Sequence, residues 1–403
     1  MPGVFEKISA WLLDQAIEDA ELEATISGLG SRLVAAGIPV CRIVVGRGMA
    51  HPVIGLASLI WHSDKPNVHL EVTPPTKLSR AEVLATPFGH MALTEEKFIS
   101  ARLTDAEDVK RFAMFPSLAD QGITHYLGLS RSFTPPEGPL PANQSEFKGA
   151  VLACCTRRHA GFSQTDIEGL RSLFPALCAC IRVAIDRTLV TELLDRYLGR
   201  ISGSRVLTGQ TARGDGTEID CALLYSDMRN SVALSSEVSV KDYIGILNDY
   251  FDCTAGAVIE HGGEVLKFIG DGVLAIFPFD AATRPPDQMC AAALATVREA
   301  FDRLDRINGV RSEAGRPMVS FGIGLNVGKV IYGNVGTDQR LDFTATGTAV
   351  GLASRCENLT KDIGENVVAT EAFVKHCSDG AVPQGIHKIH GFAEPIALHS
   401  FGR

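Results

Sequence analysis

No window of the 403-residue chain approaches the ~20 consecutive apolar residues that span a bilayer, and its most apolar runs, such as Gly149 to Cys155, have the length of a core strand. Membrane insertion is therefore not expected. An excess of positive charge is missing too: Lys and Arg number 38 against 47 Asp and Glu, and a net charge of −9 leaves no basic stripe for a nucleic-acid backbone. The amino terminus is acidic and amphipathic from Phe5 to Ala24, without the positive start and apolar block of an export signal, so a soluble cytoplasmic protein is the expectation. None of the ten cysteines has a Cys-x-x-Cys partner and the histidines are scattered, which argues against structural zinc. The cysteines sit in apolar surroundings such as Leu152-Ala-Cys-Cys and Leu177-Cys-Ala-Cys, and a chain this long buries a core without staples; they read as reduced core thiols. What is present is ordinary globular composition, 45% apolar and 21% charged, in a length that predicts two or three domains.

The first segment, 1–162, opens with helical spacing (Trp11, Leu12, Ile17, Leu22, Ile26, Leu29, Leu33) and turns to β-like runs such as Cys41-Arg-Ile-Val-Val and Ala57-Ser-Leu-Ile-Trp. Thr134-Pro-Pro-Glu-Gly-Pro-Leu-Pro reads as a surface loop, and Phe147 to Cys155 as a returning strand. This mixed α/β pattern resembles a GAF-like sensory domain, whose input, a ligand or a protein, the sequence does not identify; His51, His62 and His69 have no metal-ligand spacing. In the segment 163–217, Ser163-Gln-Thr-Asp166 has capping-box spacing and opens a long helix with apolar residues from Leu170 to Leu194, containing Pro175. That helix either packs on its own domain or forms a parallel dimer stalk. Gly199, Gly203 and the Gly209 to Gly216 stretch then end it, placing a boundary near 205 to 218.

From 218 to 403 the pattern sharpens. Ile219 to Asp227 is a buried strand, Lys241 to Ile259 a helix with one apolar face, and Glu264–Ile269 and Val273–Phe277 are strands joined by the turn Gly270-Asp271-Gly272. Asp287 to Ile307 reads as a helix, Met318 to Leu325 as a strand, Ala349 to Leu359 as a helix and Glu365 to Ala369 as a strand. The order βαββαβ predicts an α+β, ferredoxin-like sheet with its helices on one face.

This layout brings Asp227, at a strand end, near Asp271, in the adjacent turn. Two carboxylates so placed suit Mg²⁺ or Mn²⁺, hard cations that keep waters and bind substrate phosphates; the alternative is that Asp227 caps and Asp271 serves only the turn. Strand alternation puts Lys267 on one face with Val265 and Ile269, where it either snorkels to solvent or binds a ligand acceptor in a pocket.

Four ordered motifs carry a family resemblance: Tyr225-Ser-Asp-Met-Arg, Lys267-Phe-Ile-Gly-Asp-Gly, Gly322-Ile-Gly-Leu-Asn-Val-Gly-Lys-Val-Ile-Tyr-Gly-Asn-Val-Gly, and Asp342-Phe-Thr-Ala-Thr-Gly through Ala353-Ser-Arg. Together they resemble the catalytic domain of class III nucleotidyl cyclases. The resemblance implies a head-to-tail homodimer with ATP at the shared interface and two metal ions held by Asp227, Asp271 and the Met228 carbonyl. From the partner copy, Lys267 and Thr344 would read the purine in the adenine-selecting pattern and Arg355 would stabilise charge on phosphorus. Attack of a ribose 3′ hydroxyl on the α-phosphorus needs positioning and charge neutralisation more than a covalent nucleophile, which this set of residues suits.

Two positions depart from the family pattern. Val-Asn-x-Ala-x-Arg reads Val350-Gly351-Leu-Ala-Ser-Arg355, so the ribose-orienting asparagine is Gly351; the loss of one such donor costs about 10² to 10³ in rate unless compensated. His390 stands where the family puts a lysine on the terminal phosphates. The sequence thus predicts an adenylate cyclase regulated by its amino-terminal domain. Open beside it are a weakened cyclase fold acting as a nucleotide-binding regulatory module, and a guanylate or mixed-specificity cyclase. Two lookalikes are excluded: Gly324 to Lys329 lacks Walker spacing, and His261-Gly-Gly-Glu precedes its strand instead of occupying the hairpin.

Overall fold

The computed structural model describes residues 2–48, 56–65, 67–73, 80–133 and 148–402, so the Thr134 loop, Phe147 and His51 lie outside the described residues. The chain divides into two compact units, Met1–Val190 and Thr191–Arg403.

In the first unit the elements run α1 (Pro2–Ile17), α2 (Leu22–Ala35), β1 (Arg42–Gly48), β2 (Leu56–His62), β3 (His69–Thr73), α3 (Arg80–Leu84) and α4 (Pro87–Leu93). They continue with β4 (Phe98–Arg102), α5 (Ala106–Lys110), α6 (Phe115–Asp120), β5 (His125–Ser132), β6 (Gly149–Thr156) and α7 (Gln164–Leu198), whose residues from Thr191 onward belong to the second unit. The sheet order is β3-β2-β1-β6-β5-β4, antiparallel throughout. Helices cover both faces, which is why β6 is buried at every position and reads as a continuous apolar run. On one face Leu12, Ile26, Leu33, Leu173 and Leu177 pack on Ile43, Val45 and Leu152; on the other, Met91, Phe115 and Leu118 pack on Val44, Tyr126 and Ala153.

The helix α7 is 35 residues long and runs through Pro175. Its first half is built into the core of this unit as far as Ala184, whereas Leu193 is exposed and Tyr197 is 83% exposed. All ten cysteines are free thiols, nine of them buried. Burial in apolar surroundings lifts Cys178 and Cys221 to about 12, which keeps them protonated and unreactive.

The second unit contains α8 (Arg200–Leu207), β7 (Gly216–Met228), α9 (Ser231–Glu237), α10 (Val240–Glu260), β8 (Glu264–Ile269), β9 (Gly272–Pro278), α11 (Pro286–Glu313) and β10 (Phe321–Thr337). After these come β11 (Arg340–Thr346), α12 (Thr348–Ile363), β12 (Val367–Thr370), α13 (Glu371–Val374), β13 (Ala381–His387) and β14 (Ile396–Phe401). The sheet order is β13-β14-β12-β10-β7-β9-β8, with β11 paired to the far half of β10. Its central strands β10, β7, β9 and β8 are antiparallel neighbours.

Two expectations are corrected. The strand expected to stop at Leu325 continues to Thr337, because Gly322, Gly324 and Gly328 are places where α12 comes close rather than strand breaks: a Cβ on Gly324 would sit 2.1 Å from the Ala353 carbonyl oxygen. The helices also do not share one face. The crossovers α10 and α11 pack on Ala222, Leu224 and Phe277, while α12 sets Ala349 and Ala353 against Cys221, Leu223, Leu274 and Ile276 on the opposite face. The βαββαβ chirality fixes only the two crossovers to one side; α12 follows a hairpin and takes the face that the glycines leave open.

Candidate active site

At the end of β7, alternation turns Met228 into the α10–α11 core and Asp227 to the α12 face. Asp227 stands opposite Gly272 in the β7–β9 ladder, beside the turn residue Asp271, and the Met228 N–H meets the Asp271 carbonyl at 3.4 Å. Gly272 keeps this corner open, since a Cβ there would lie 2.9 Å from the Tyr225 hydroxyl and 3.4 Å from Asp227 Oδ1. Burial raises the Asp227 pKa, and the negative charge of Asp271 raises it further. A carboxylate whose ionisation is opposed by burial and by a neighbouring negative charge favours a cation beside it, so the donor set fits a hard divalent ion completed by backbone, water and phosphate oxygens. Among the described residues no three His, Cys, Asp or Glu side chains form a metal cage on their own.

Behind Asp227 lies a buried carboxylate that the sequence reading missed. Glu357, on α12, is 1% exposed and its pKa is pushed up to about 7, chiefly by burial and then by the charge of Asp227. Arg229 Nη1 lies 3.5 Å from Glu357 Oε1 as an ion pair, and Arg229 also hydrogen-bonds the Thr360 hydroxyl. Both groups converge over Gly322, where a Cβ would come within 2.7 Å of Glu357 Oε1 and of Thr360 Oγ1. The only sequence signal was a pair of glycines on β10 under an amphipathic helix.

Lys267 is not on the face that simple alternation gave it. A bulge between Val265 and Lys267 shifts the register, so that Val265 opposes Ala275 but Lys267 opposes Leu274, and the lysine moves to the other face of the sheet. There it forms an ion pair with Asp342 of β11, both side chains half-exposed. Thr344 follows two residues later on the same strand and shares the Asp342 face. Lys267 and Asp342 line a cleft of about 670 Å³ that Asp227 and Asp271 do not join.

Gly351 and Arg355 lie one turn apart on the exposed face of α12, and His390 is exposed between β13 and β14. The structure thus brings Asp227 to Asp271, and Lys267 to the strand of Thr344, while Arg355, Gly351 and His390 face outward in the single chain.

Residues 216–379 match the family model described as the adenylate and guanylate cyclase catalytic domain. An adenylate cyclase of Anabaena cylindrica is 37% identical over 160 residues, covering 39% of this chain and 30% of that protein. Adenylate cyclase 1 of Rhizobium meliloti is 32% identical over 179 residues, 44% of this chain and 26% of that protein. The matches therefore span less than a third of either relative. Among solved structures, a bacterial light-regulated adenylyl cyclase aligns at 25% identity with a TM-score of 0.46, over 60% of this chain and 65% of that one.

Proposed function

We propose, on the premise that residues 216–379 belong to the adenylate and guanylate cyclase catalytic domain family, that the chain is an adenylate cyclase converting ATP to 3′,5′-cyclic AMP and diphosphate. The observation that carries this is the division of one chain into two half-sites. Asp227 and Asp271 meet at one strand end, whereas Lys267 with Thr344, and the outward-facing Arg355, lie elsewhere on the same domain. Two copies related by a two-fold axis supply each half to the other and generate two equivalent sites. Apolar side chains beside these groups favour such pairing: Phe268 is 51% and Ile331 is 55% exposed.

In this reading Asp227, Asp271 and the Met228 carbonyl hold two Mg²⁺ or Mn²⁺ ions, which when bound neutralise the triphosphate and lower the pKa of the attacking hydroxyl. Lys267 donates to a purine acceptor and Thr344 completes the reading of the adenine edge. Arg355 presents a guanidinium fork to the phosphate oxygens whose charge grows in the transition state, and His390 offers an imidazole N–H to the terminal phosphates. Gly351 offers no side chain to the ribose.

The segment 1–162 is in the same reading a GAF-like sensory domain, 163–217 the link and 218–403 the catalytic domain. The antiparallel sheet between two helical layers supports the sensory assignment, and the emergence of α7 from that core supports transmission along it. Activity and dimerisation unchanged by deletion of residues 1–200 under every signal tested would count against transmission.

The direct test is incubation of the purified chain with Mn²⁺ and ATP, with Asp271→Ala as control. Cyclic AMP that disappears in the variant is the expected result; a folded chain that binds ATP without forming product overturns the enzyme reading.

A further inference from the structure

Glu264 is buried at the start of β8 and both of its oxygens are engaged. Oε1 accepts from the Ser202 backbone N–H and from the Ser202 hydroxyl, each at 2.7 Å, and Oε2 accepts from the Tyr332 hydroxyl at 2.9 Å. The two hydroxyls lie 2.8 Å apart. A buried carboxylate satisfied in this way is fixed in place, and moving it would strand a charge in the core. Each of its partners belongs to a different element: Ser202 to α8, the helix just before the catalytic domain, and Tyr332 to β10.

The β8 bulge gives this cluster its reach. Glu264 and Lys267 are three residues apart and on a regular strand would face opposite sides; the register shift pairs Glu264 with Ile276 and Lys267 with Leu274, both on one face. From the other side, Tyr332 makes an edge contact with Phe343 at 4.9 Å between ring centres, and Phe343 sits between Asp342 and Thr344. Arg205 of α8 lies 4.7 Å over the Tyr332 ring. Lys267 and Thr344 therefore hang from one buried cluster that α8 closes, whereas Asp227 and Asp271 contact none of its hydrogen-bonding members.

We infer that Glu264, with Ser202 and Tyr332, is a positioning residue for purine discrimination: it sets the placement of Lys267 against Thr344 and couples it to α8, without acting on the metal carboxylates. This rests on the cyclase reading above. Glu264 touches no substrate, so its removal acts through Lys267.

The test is Glu264→Gln in the full chain, measuring kcat and KM for ATP and GTP, nucleotide binding, and the Mn²⁺ dependence. The ATP-over-GTP preference should fall roughly tenfold, mainly through KM for ATP, with kcat and Mn²⁺ dependence within about twofold. Glu264→Gln placed on Lys267→Ala should then change the preference no further. An unchanged preference, a loss confined to kcat, or additive effects with Lys267→Ala overturn the inference. Were Glu264→Gln not to fold, Ser202→Ala and Tyr332→Phe each remove a single hydroxyl and carry the same expectation at smaller size, and an unchanged preference in both overturns it. A wild-type chain that binds ATP but makes no cyclic AMP sinks the enzyme reading alone, since the binding preference and its response to Glu264→Gln are still measured. A chain that binds neither nucleotide overturns both.

Discussion

Arg229 Nη1 stands 3.5 Å from Glu357 Oε1, close enough for charge attraction and without a hydrogen bond between them. Burial lifts the Glu357 pKa from 4.5 to about 7. A carboxyl raised in the folded state gives stability that is full below its unfolded pKa and is lost as pH rises through the folded value, here on the order of 3 kcal/mol between about pH 4.5 and 7. Glu357→Gln should flatten that slope. Arg229→Gln, which leaves the carboxylate uncompensated, should steepen it, with a cost of about 3–5 kcal/mol at alkaline pH and less below pH 6. Urea midpoints by far-UV circular dichroism across pH 5 to 8.5 read this directly, and parallel profiles for wild type and both variants would contradict it.

The two half-sites make a quantitative prediction for mixed dimers. Asp227→Ala and Arg355→Ala should each be inactive alone. In a heterodimer of the two, one site carries both defects and the other carries none. Random re-association of equal amounts makes half of the dimers mixed, so activity should return to about a quarter of wild type. The assay is cyclic AMP formation after co-refolding or subunit exchange. Absence of recovery, with exchange shown by size or labelling, would remove the composite site.

The first unit should be acid-sensitive through His125. This residue is 1% exposed; its Nδ1 accepts the Phe162 N–H at 3.1 Å and its Nε2 meets the Ser100 hydroxyl at 2.9 Å. Protonation would set an N–H against an N–H, and burial together with the charge of Arg102 pushes the pKa from 6.5 down to about 4. A depressed histidine gives stability that is present above its unfolded pKa and lost as pH falls toward the folded value, on the order of 3 kcal/mol between about pH 6.5 and 4. The two tryptophans, Trp11 and Trp61, both belong to this unit, so fluorescence-monitored denaturation isolates it. His125→Asn should be less stable at pH 7.5 but flatter on the acid side, and an equal acid slope would rule out His125 as its source.

What the sequence disclosed and what it hid divide along physical lines. Asp227 and Asp271 were legible because a buried strand and a Gly-Asp-Gly turn are local patterns, and local patterns fix which strand ends meet. The face of Lys267 was not legible, because the bulge beside it contains no glycine or proline to mark it. Asp342 stayed hidden behind the same difficulty, since its pairing depends on a hairpin whose glycine-rich strand does not read as a strand. Glu357 was passed over because a glutamate on an amphipathic helix is ordinarily solvated, and only the packing of α12 onto Gly322 and Gly324 shows that this one is not.

Gly351 offers the sharpest test of the departure from the family pattern. It is exposed on α12 one turn before Arg355, and a Cβ built there meets nothing within 4 Å, so an asparagine enters without displacing any group of the chain. Helix propensity favours asparagine over glycine by a few tenths of a kcal/mol, so folding should be unaffected or slightly improved. If the position faces the ribose across the dimer interface, Gly351→Asn restores a hydrogen-bond donor where transition-state alignment needs one, and kcat should rise by about 10²-fold with little change in KM. Gly351→Ala separates this from a backbone effect, because it stiffens the helix in the same way but donates nothing. Equal gains in both variants would assign the effect to helix stiffness, and no gain in either would mean that a water or another side chain already fills the role.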